Sequence, residues 1–220
     1  MPDTSSLLSL AVDPQLSRVV QAELSVQRCA LLDVVADELD DLAQPGGSVS
    51  GLAQAALGQI SWLGPVVATE KLSDPDGVLD IQNTIRTGRP LKHPREHWAE
   101  SVVLDIGERL QSVAPRLLSE DYDARVEAPY HSVLPFSVHK VLATMVRGRR
   151  LSAVAAEAFA TALHRARRGP EITADEFTLW QKKEVLRKSV IKVDDFPQDF
   201  GRAEIAAKYD DTKPAIARAA

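Results

Sequence analysis

Apolar residues in this chain recur at three- and four-residue steps, and no alternating apolar–polar run of useful length interrupts them; this limits what the chain can fold into more than any other feature. Leu16, Val20, Leu24, Leu31, Val35, Leu39 and Leu42 fall on one helical face and predict a helix from Pro14 to Leu42. Asp13 is placed to cap it, Pro14 suits its first turn, and Gln44, Pro45, Gly46 and Gly47 end it. An alanine-rich helix is expected over Ser50–Leu63, stopped by Gly64 and Pro65. Ser73, Asp74, Pro75, Asp76 and Gly77 read as a turn, with a helix from Val78 to Arg86 after it.

Pro94 opens another periodic stretch, with Trp98, Val102, Ile106, Leu110 and Val113 in one stripe. Pro115, Pro129 and Pro135 divide the chain into short pieces. Helical spacing returns from Phe136 to Val146, and an alanine-rich helix is expected from Ser152 to Arg168, closed by Gly169 and Pro170. Thr173 and Glu176 form a capping box, in which hydroxyl and carboxylate satisfy each other's backbone donors, at the head of a helix carrying Phe177, Trp180, Val190 and Ile191. The expectation is an all-α bundle of six to eight helices with proline-rich connections. Its parts are an acidic N-terminal hairpin (1–64), an irregular connection (65–93), a C-terminal helical module (94–200) and a frayed tail (201–220).

Hydrophobic residues at 45% and charged residues at 26% give a chain that can bury a core. No run of eighteen apolar residues is present for a membrane span, Asp3 precedes any Lys or Arg at the N-terminus, and the lone Cys29 cannot build a disulfide framework. A cytoplasmic protein is expected, with Cys29 a buried thiol in mid-helix. The net charge of −5 divides unevenly: residues 1–84 hold 12 acidic and 3 basic side chains, residues 137–192 hold 12 basic and 5 acidic. Opposed halves of this kind favour self-complementarity, and no nucleic-acid-binding module accompanies the basic half.

Three constellations carry possible chemistry. His93, Glu96 and His97 read H-x-x-E-H, in which two histidines one helical turn apart ligate zinc and the glutamate is base to a bound water. Pro94 inside the motif leaves His93 at a helix cap, and Glu171 or Glu176 is a third ligand by position only. Asp33, Asp37, Asp40 and Asp41, with Glu38 beside them, form a helical carboxylate row whose simplest reading is a solvated face. Glu96 with Glu100, and Asp105 with Glu108 and Arg109, read as surface charges too. Arg147, Arg149 and Arg150, and Arg165, Arg167 and Arg168 beside His164, are anion-binding candidates that also suit helix C-termini. His131, His139 and His164 stand alone, as hydrogen-bonded or capping residues.

Ile172, Thr173, Ala174, Asp175, Glu176, Lys182, Glu184, Arg187, Ile191 and then Val193, Asp194, Asp195 and Phe196 resemble the C-terminal helical extension of bacterial long-chain, FadE-type acyl-CoA dehydrogenases. Thr87, Gly88, Arg89, Pro94 and Val102 resemble its start, so the likeness spans about residues 86–202. It implies a non-catalytic accessory module tied to fatty-acid β-oxidation, with no catalytic or cofactor residues of its own. FAD would come only through a flavoprotein dehydrogenase partner, and Val193, Asp194, Asp195 and Phe196 would be the clasp. The alternatives are a zinc-dependent hydrolase using His93 and His97, and a helical binder of nucleic acid or another anion.

Overall fold

The computed structural model describes residues 1–24, 29–86, 89–91, 94–110 and 115–185, with side chains up to 179. The all-α expectation holds in that the described chain is mostly helical. Among the described residues ten α-helices appear: α1 (Thr4–Leu10), α2 (Pro14–Leu24), α3 (Asp33–Leu42), α4 (Ser50–Leu57), α5 (Pro75–Ile85), α6 (Trp98–Arg109), α7 (Tyr122–Glu127), α8 (Val138–Arg147), α9 (Ala153–Arg165) and α10 (Ala174–Val185). Four short strands join them: β1 (Leu31–Leu32), β2 (Val66–Val67), β3 (Arg116–Leu118) and β4 (Leu134–Phe136). Among the described residues no helix is long and apolar enough to cross a membrane.

The strands are too short for alternation to show, which is why periodicity passed over them. Both pairs are parallel: Leu31 lies opposite Val66, and Arg116, Leu117 and Leu118 lie opposite Leu134, Pro135 and Phe136. A parallel pair needs a crossover, supplied by α3 and α4 in the first case and α7 in the second. The chain start adds to the far side of β3: Asp3 N–H donates to the Leu118 carbonyl at 2.9 Å, and Leu118 N–H to the Met1 carbonyl at 3.0 Å. Three parallel segments therefore end side by side, at Asp3, at Ser119 and at Ser137.

Several expected elements change at identifiable points. The helix expected over 14–42 is two helices, so Cys29 lies in the connection entering β1, half-buried, with burial pushing its thiol pKa up. The helix expected to reach Leu63 ends at Leu57, and Ile60–Leu63 is a separate 3-10 turn. The turn expected at 73–77 is instead the start of α5, because Pro75 takes the first helical position, where its missing N–H costs nothing. Gly77 is then inside the helix, where a Cβ would overlap the Asp105 carboxylate. Asp105, expected at the surface, is 2% exposed and accepts from Asp74 N–H at 2.7 Å and Arg109 Nε at 3.1 Å. α1 was not foreseen; Asp3 caps it through the Ser6 amide at 2.7 Å.

Asp13 caps α2 through the Gln15 amide, and the capping box forms, with Thr173 N–H on Glu176 Oε2 at 2.7 Å and Glu176 N–H on the Thr173 hydroxyl at 3.3 Å. One buried cluster joins Leu7 and Leu16 to Leu39, Ile85, Leu104, Leu117, Leu142, Leu163 and Phe177. Side chains from both sides of the 65–93 connection belong to it, and α1 and α2 pack on α8. Trp98 packs against its edge as expected.

Candidate functional site

The ends of the parallel segments carry the site. Leu117 and Leu118 are buried in β3, so the chain must leave the core at Ser119, and Glu120 and Asp121 follow at the strand's C-terminal edge. Asp121 caps α7 through the Ala124 amide at 2.8 Å. Asp3 leaves its own segment at the same edge, fully buried, accepting from the Ser6 amide and from the Ser5 hydroxyl at 2.8 Å; the Ser119 hydroxyl donates to it at 2.5 Å. From the side, α6 brings Glu100 in its first turn and α3 brings Glu38, whose Oε2 accepts from the Thr4 hydroxyl at 2.6 Å. Crevices at the carboxyl ends of parallel strands are where open α/β arrangements bind ligands.

His97 completes the group. It precedes α6 in a left-handed conformation (φ 59°), an uncommon backbone state for a histidine, and its Nδ1 lies 3.2 Å from Asp121 Oδ2. One ligand atom each from His97, Glu100 and Asp121 falls within 4.8 Å of the others. The hydrogen bond to Asp121 raises the His97 pKa against the effect of burial. Burial drives the Asp121 carboxyl up, but the bonds from His97 and the Ala124 amide outweigh it and hold the pKa below the usual range. Glu100 has only its own backbone amide to relieve it, and that is outweighed. Burial first, then the charges of Asp3, Asp121 and Glu38, push its pKa well above that of an ordinary glutamate. Burial also raises Asp3 against its serine hydrogen bonds.

A cavity of about 410 Å³ opens over Glu100 and Asp121, and Glu120, Arg125, His139, Arg167 and Arg168 share its lining. Arg167 is, like His97, a non-glycine residue in the left-handed region (φ 57°), at the turn that ends α9. Burial lowers the Arg168 pKa against the pull of Glu120 and Asp3. His139 is buried, its ring against Gly169, where a Cβ would overlap it, and its Nδ1 is 4.0 Å from Glu120.

The expected constellations are redistributed. His97 belongs to the cluster but not as half of a helical H-x-x-E-H pair, because α6 begins only at Trp98 and residues 94–97 are turn. His93 lies outside the described residues. The third position is taken by Asp121 rather than by Glu171 or by Glu176, which is engaged in its capping box. Glu100, expected at the surface, faces the cavity. Of the α3 row, Asp37, Asp40 and Asp41 are exposed, and Asp41 pairs with Arg95 at 2.8 Å; Asp33 instead turns inward to Thr69.

Arg167 and Arg168 line the cavity and Arg165 is exposed on the last turn of α9, whereas Arg150 pairs with Glu23 at 2.5 Å away from the cavity lining. Arg149 is exposed and Arg147 partly buried, neither of them in that lining. His131 sits between Glu108 and Glu127, and His164 Nδ1 is 3.2 Å from the Gly169 carbonyl. Val193, Asp194, Asp195 and Phe196 lie outside the described residues. Sequence reasoning missed Asp3, Glu100 and Asp121 as a group. The one local signal was the buried pair Leu117 and Leu118 running straight into Ser119, Glu120 and Asp121. No family model matches the chain, and comparison with curated proteins and with solved structures gives no match either.

Proposed function

We propose that this chain is a divalent-metal-dependent phosphodiesterase, with His97, Glu100 and Asp121 holding the cation and the arginines that line the cavity beside Glu100 and Asp121 receiving the phosphate. The observation that carries the reading is the convergence of one imidazole and two carboxylates within 4.8 Å, with Asp3 and Glu38 adding negative charge beside Glu100. Like charges gathered in a partly buried place cost free energy unless a proton or a cation neutralises them, and the raised Glu100 pKa marks the place a cation would take over. Carboxylates outnumber nitrogen in the set, which favours Mn2+ or Mg2+ over the zinc that a two-histidine motif would select.

A cation held by these residues would polarise a P–O bond and lower the pKa of a water bound to it. The chain's own residues do the rest. The Ser119 hydroxyl and the α1 amides fix Asp3, His97 orients Asp121, and the arginines oppose the charge that develops on the transferring phosphoryl group. Arg165, Arg167 and Arg168 extend positive charge along the end of α9, which suits a polyanion such as a nucleic-acid strand. The clasp of the accessory-module expectation, Val193, Asp194, Asp195 and Phe196, lies outside the described residues, and no comparison links the chain to that family.

The test is hydrolysis of labelled single-stranded RNA and DNA oligonucleotides with Mn2+, Mg2+ or EDTA. Cleavage that needs the cation and is lost in Asp121→Asn supports the reading, and the preferred strand names the polymer. Cation-independent cleavage, or cleavage that survives both Asp121→Asn and Glu100→Gln, overturns it.

A further inference from the structure

Among the arginines that line the cavity, Arg125 stands out for what its side chain leaves unmade. It lies on α7 one turn after Asp121, and its backbone N–H donates to the Asp121 carbonyl at 3.1 Å. Its Nη1 donates to the Ser119 carbonyl at 2.8 Å, and Ser119 in turn holds Asp3 through its hydroxyl and receives the Asp121 amide at 2.9 Å. The guanidinium is thus tied through one residue to two carboxylates of the cluster. Its Nε–H is buried and meets no acceptor among the described residues. A buried donor without a partner costs about 1–3 kcal/mol, more when charged, and native proteins hold few of them.

This donor belongs to a side chain lining a polar cavity, with Arg167 and Arg168 in the same lining. Three guanidinium groups around one cavity next to a cation site match an anion with several acceptor oxygens, and a guanidinium presents its N–H groups to a tetrahedral oxyanion two at a time.

We propose that Arg125 anchors the substrate's phosphate: a small turn of the guanidinium brings its unpaired Nε–H from its buried position to a non-bridging phosphoryl oxygen while Nη1 keeps its bond to the Ser119 carbonyl, setting the phosphorus at a fixed distance from Asp121. The proposal rests on the phosphodiesterase reading and deepens it to a residue. A merely structural Arg125 would hold Ser119 and have no effect on phosphate.

The experiment uses the full chain with Arg125→Met and Arg125→Lys. Calorimetric titration with Mn2+ alone, then with inorganic phosphate in the presence and absence of Mn2+, is combined with steady-state hydrolysis of bis(p-nitrophenyl) phosphate. For Arg125→Met the expected result is Mn2+ affinity within about threefold of wild type, phosphate affinity at least tenfold weaker and KM at least tenfold higher. Arg125→Lys keeps a donor for the Ser119 carbonyl but not the paired N–H geometry, so it should recover the fold in full and phosphate binding only in part.

Phosphate affinity within twofold of wild type in both variants overturns the proposal. If Arg125→Met fails to fold, Arg125→Lys alone decides on the same criterion. A wild-type chain that takes no Mn2+ but binds phosphate through Arg125 would overturn the metal reading and leave the anchor standing.

Discussion

Two groups of carboxylates occupy this molecule, and they could hardly behave more differently. The row on α3 is dense in sequence, with Asp33, Asp37, Asp40 and Asp41 inside nine residues, and it disperses on folding. Asp37 and Asp40 face water, Asp41 meets Arg95, and Asp33 is quenched by the Thr69 amide at 3.0 Å and hydroxyl at 2.7 Å. Burial drives the Asp33 carboxyl up, but those bonds more than compensate and its pKa falls. Asp3, Glu38, Glu100 and Asp121 are scattered over more than a hundred residues, yet the parallel ends of the chain start and β3 gather them, and the Glu100 pKa rises. Charge density along a chain therefore says little about where charge will concentrate in space. Asp33 is satisfied by its donors alone, whereas Glu100, with Asp3, Asp121 and Glu38 as its charged neighbours, holds its proton more tightly than an ordinary glutamate and is the group a cation would relieve.

The comparison is sharpest at the site itself. Asp121→Asn or Glu100→Gln should reduce metal-dependent phosphodiester hydrolysis at least about 100-fold, the scale on which a single charge-stabilising group counts in catalysis. Asp37→Asn and Asp40→Asn should leave it within twofold. Equal losses from the two groups, read by the oligonucleotide assay, would erase the distinction.

Stability separates the groups with opposite signs. Asp33→Ala strands the Thr69 amide and hydroxyl next to β2, and should lower unfolding free energy by about 1–3 kcal/mol in urea melts. Glu100→Gln should do the reverse in metal-free protein. A carboxyl whose folded pKa is raised takes up protons on folding, so its ionised form costs stability above the ordinary glutamate range. The neutral amide removes that cost, with an expected gain of about 1 kcal/mol at pH 7 that disappears once Mn2+ is added. A Glu100→Gln chain less stable than wild type under metal-free conditions would place Glu100 with the structural carboxylates.

A smaller effect comes from a third arrangement, in which a cation is already in place. His131 lies 2.8 Å from Glu108 and 3.4 Å from Glu127, and although burial lowers its pKa, the two carboxylates raise it above the usual value. Its stabilising charge is fully present below pH 6.5 and is lost as pH rises through the folded pKa. Wild type should exceed His131→Gln by under about 1 kcal/mol at pH 5.5, since Glu108 is half exposed, and by nothing at pH 8.5. An advantage that grows with pH would contradict the pairing.

The longer helices were legible because their apolar faces are long enough for a 3.6-residue period to show, and Asp13 and Thr173 cap where their side chains say they should, whereas α1 and α7, of seven and six residues, were too short to be seen. What was not legible is what builds the site. β1 and β2 are two residues each and β3 and β4 three, too short for any period, so nothing in the sequence announced that the chain start pairs with Leu118. Without that pairing Asp3 is a residue near the N-terminus and Asp121 a residue in a proline-broken stretch. His97 was singled out for its spacing to His93, a helical argument that fails because the helix begins one residue later. Its true partners are contributed by the first turn of α6 and by a strand end 24 residues on. Arg167 and Arg168 were singled out by charge and do line the cavity, but the same argument applied equally to Arg150, which folding pairs with Glu23.

The most direct test of the account is calorimetric titration of the metal-free chain with Mn2+, run side by side on wild type, Asp121→Asn and Asp40→Asn. The account predicts one ion bound per chain by wild type and by Asp40→Asn, with affinity at least tenfold weaker in Asp121→Asn. No binding by wild type, or binding that Asp40→Asn weakens as much as Asp121→Asn, would contradict it.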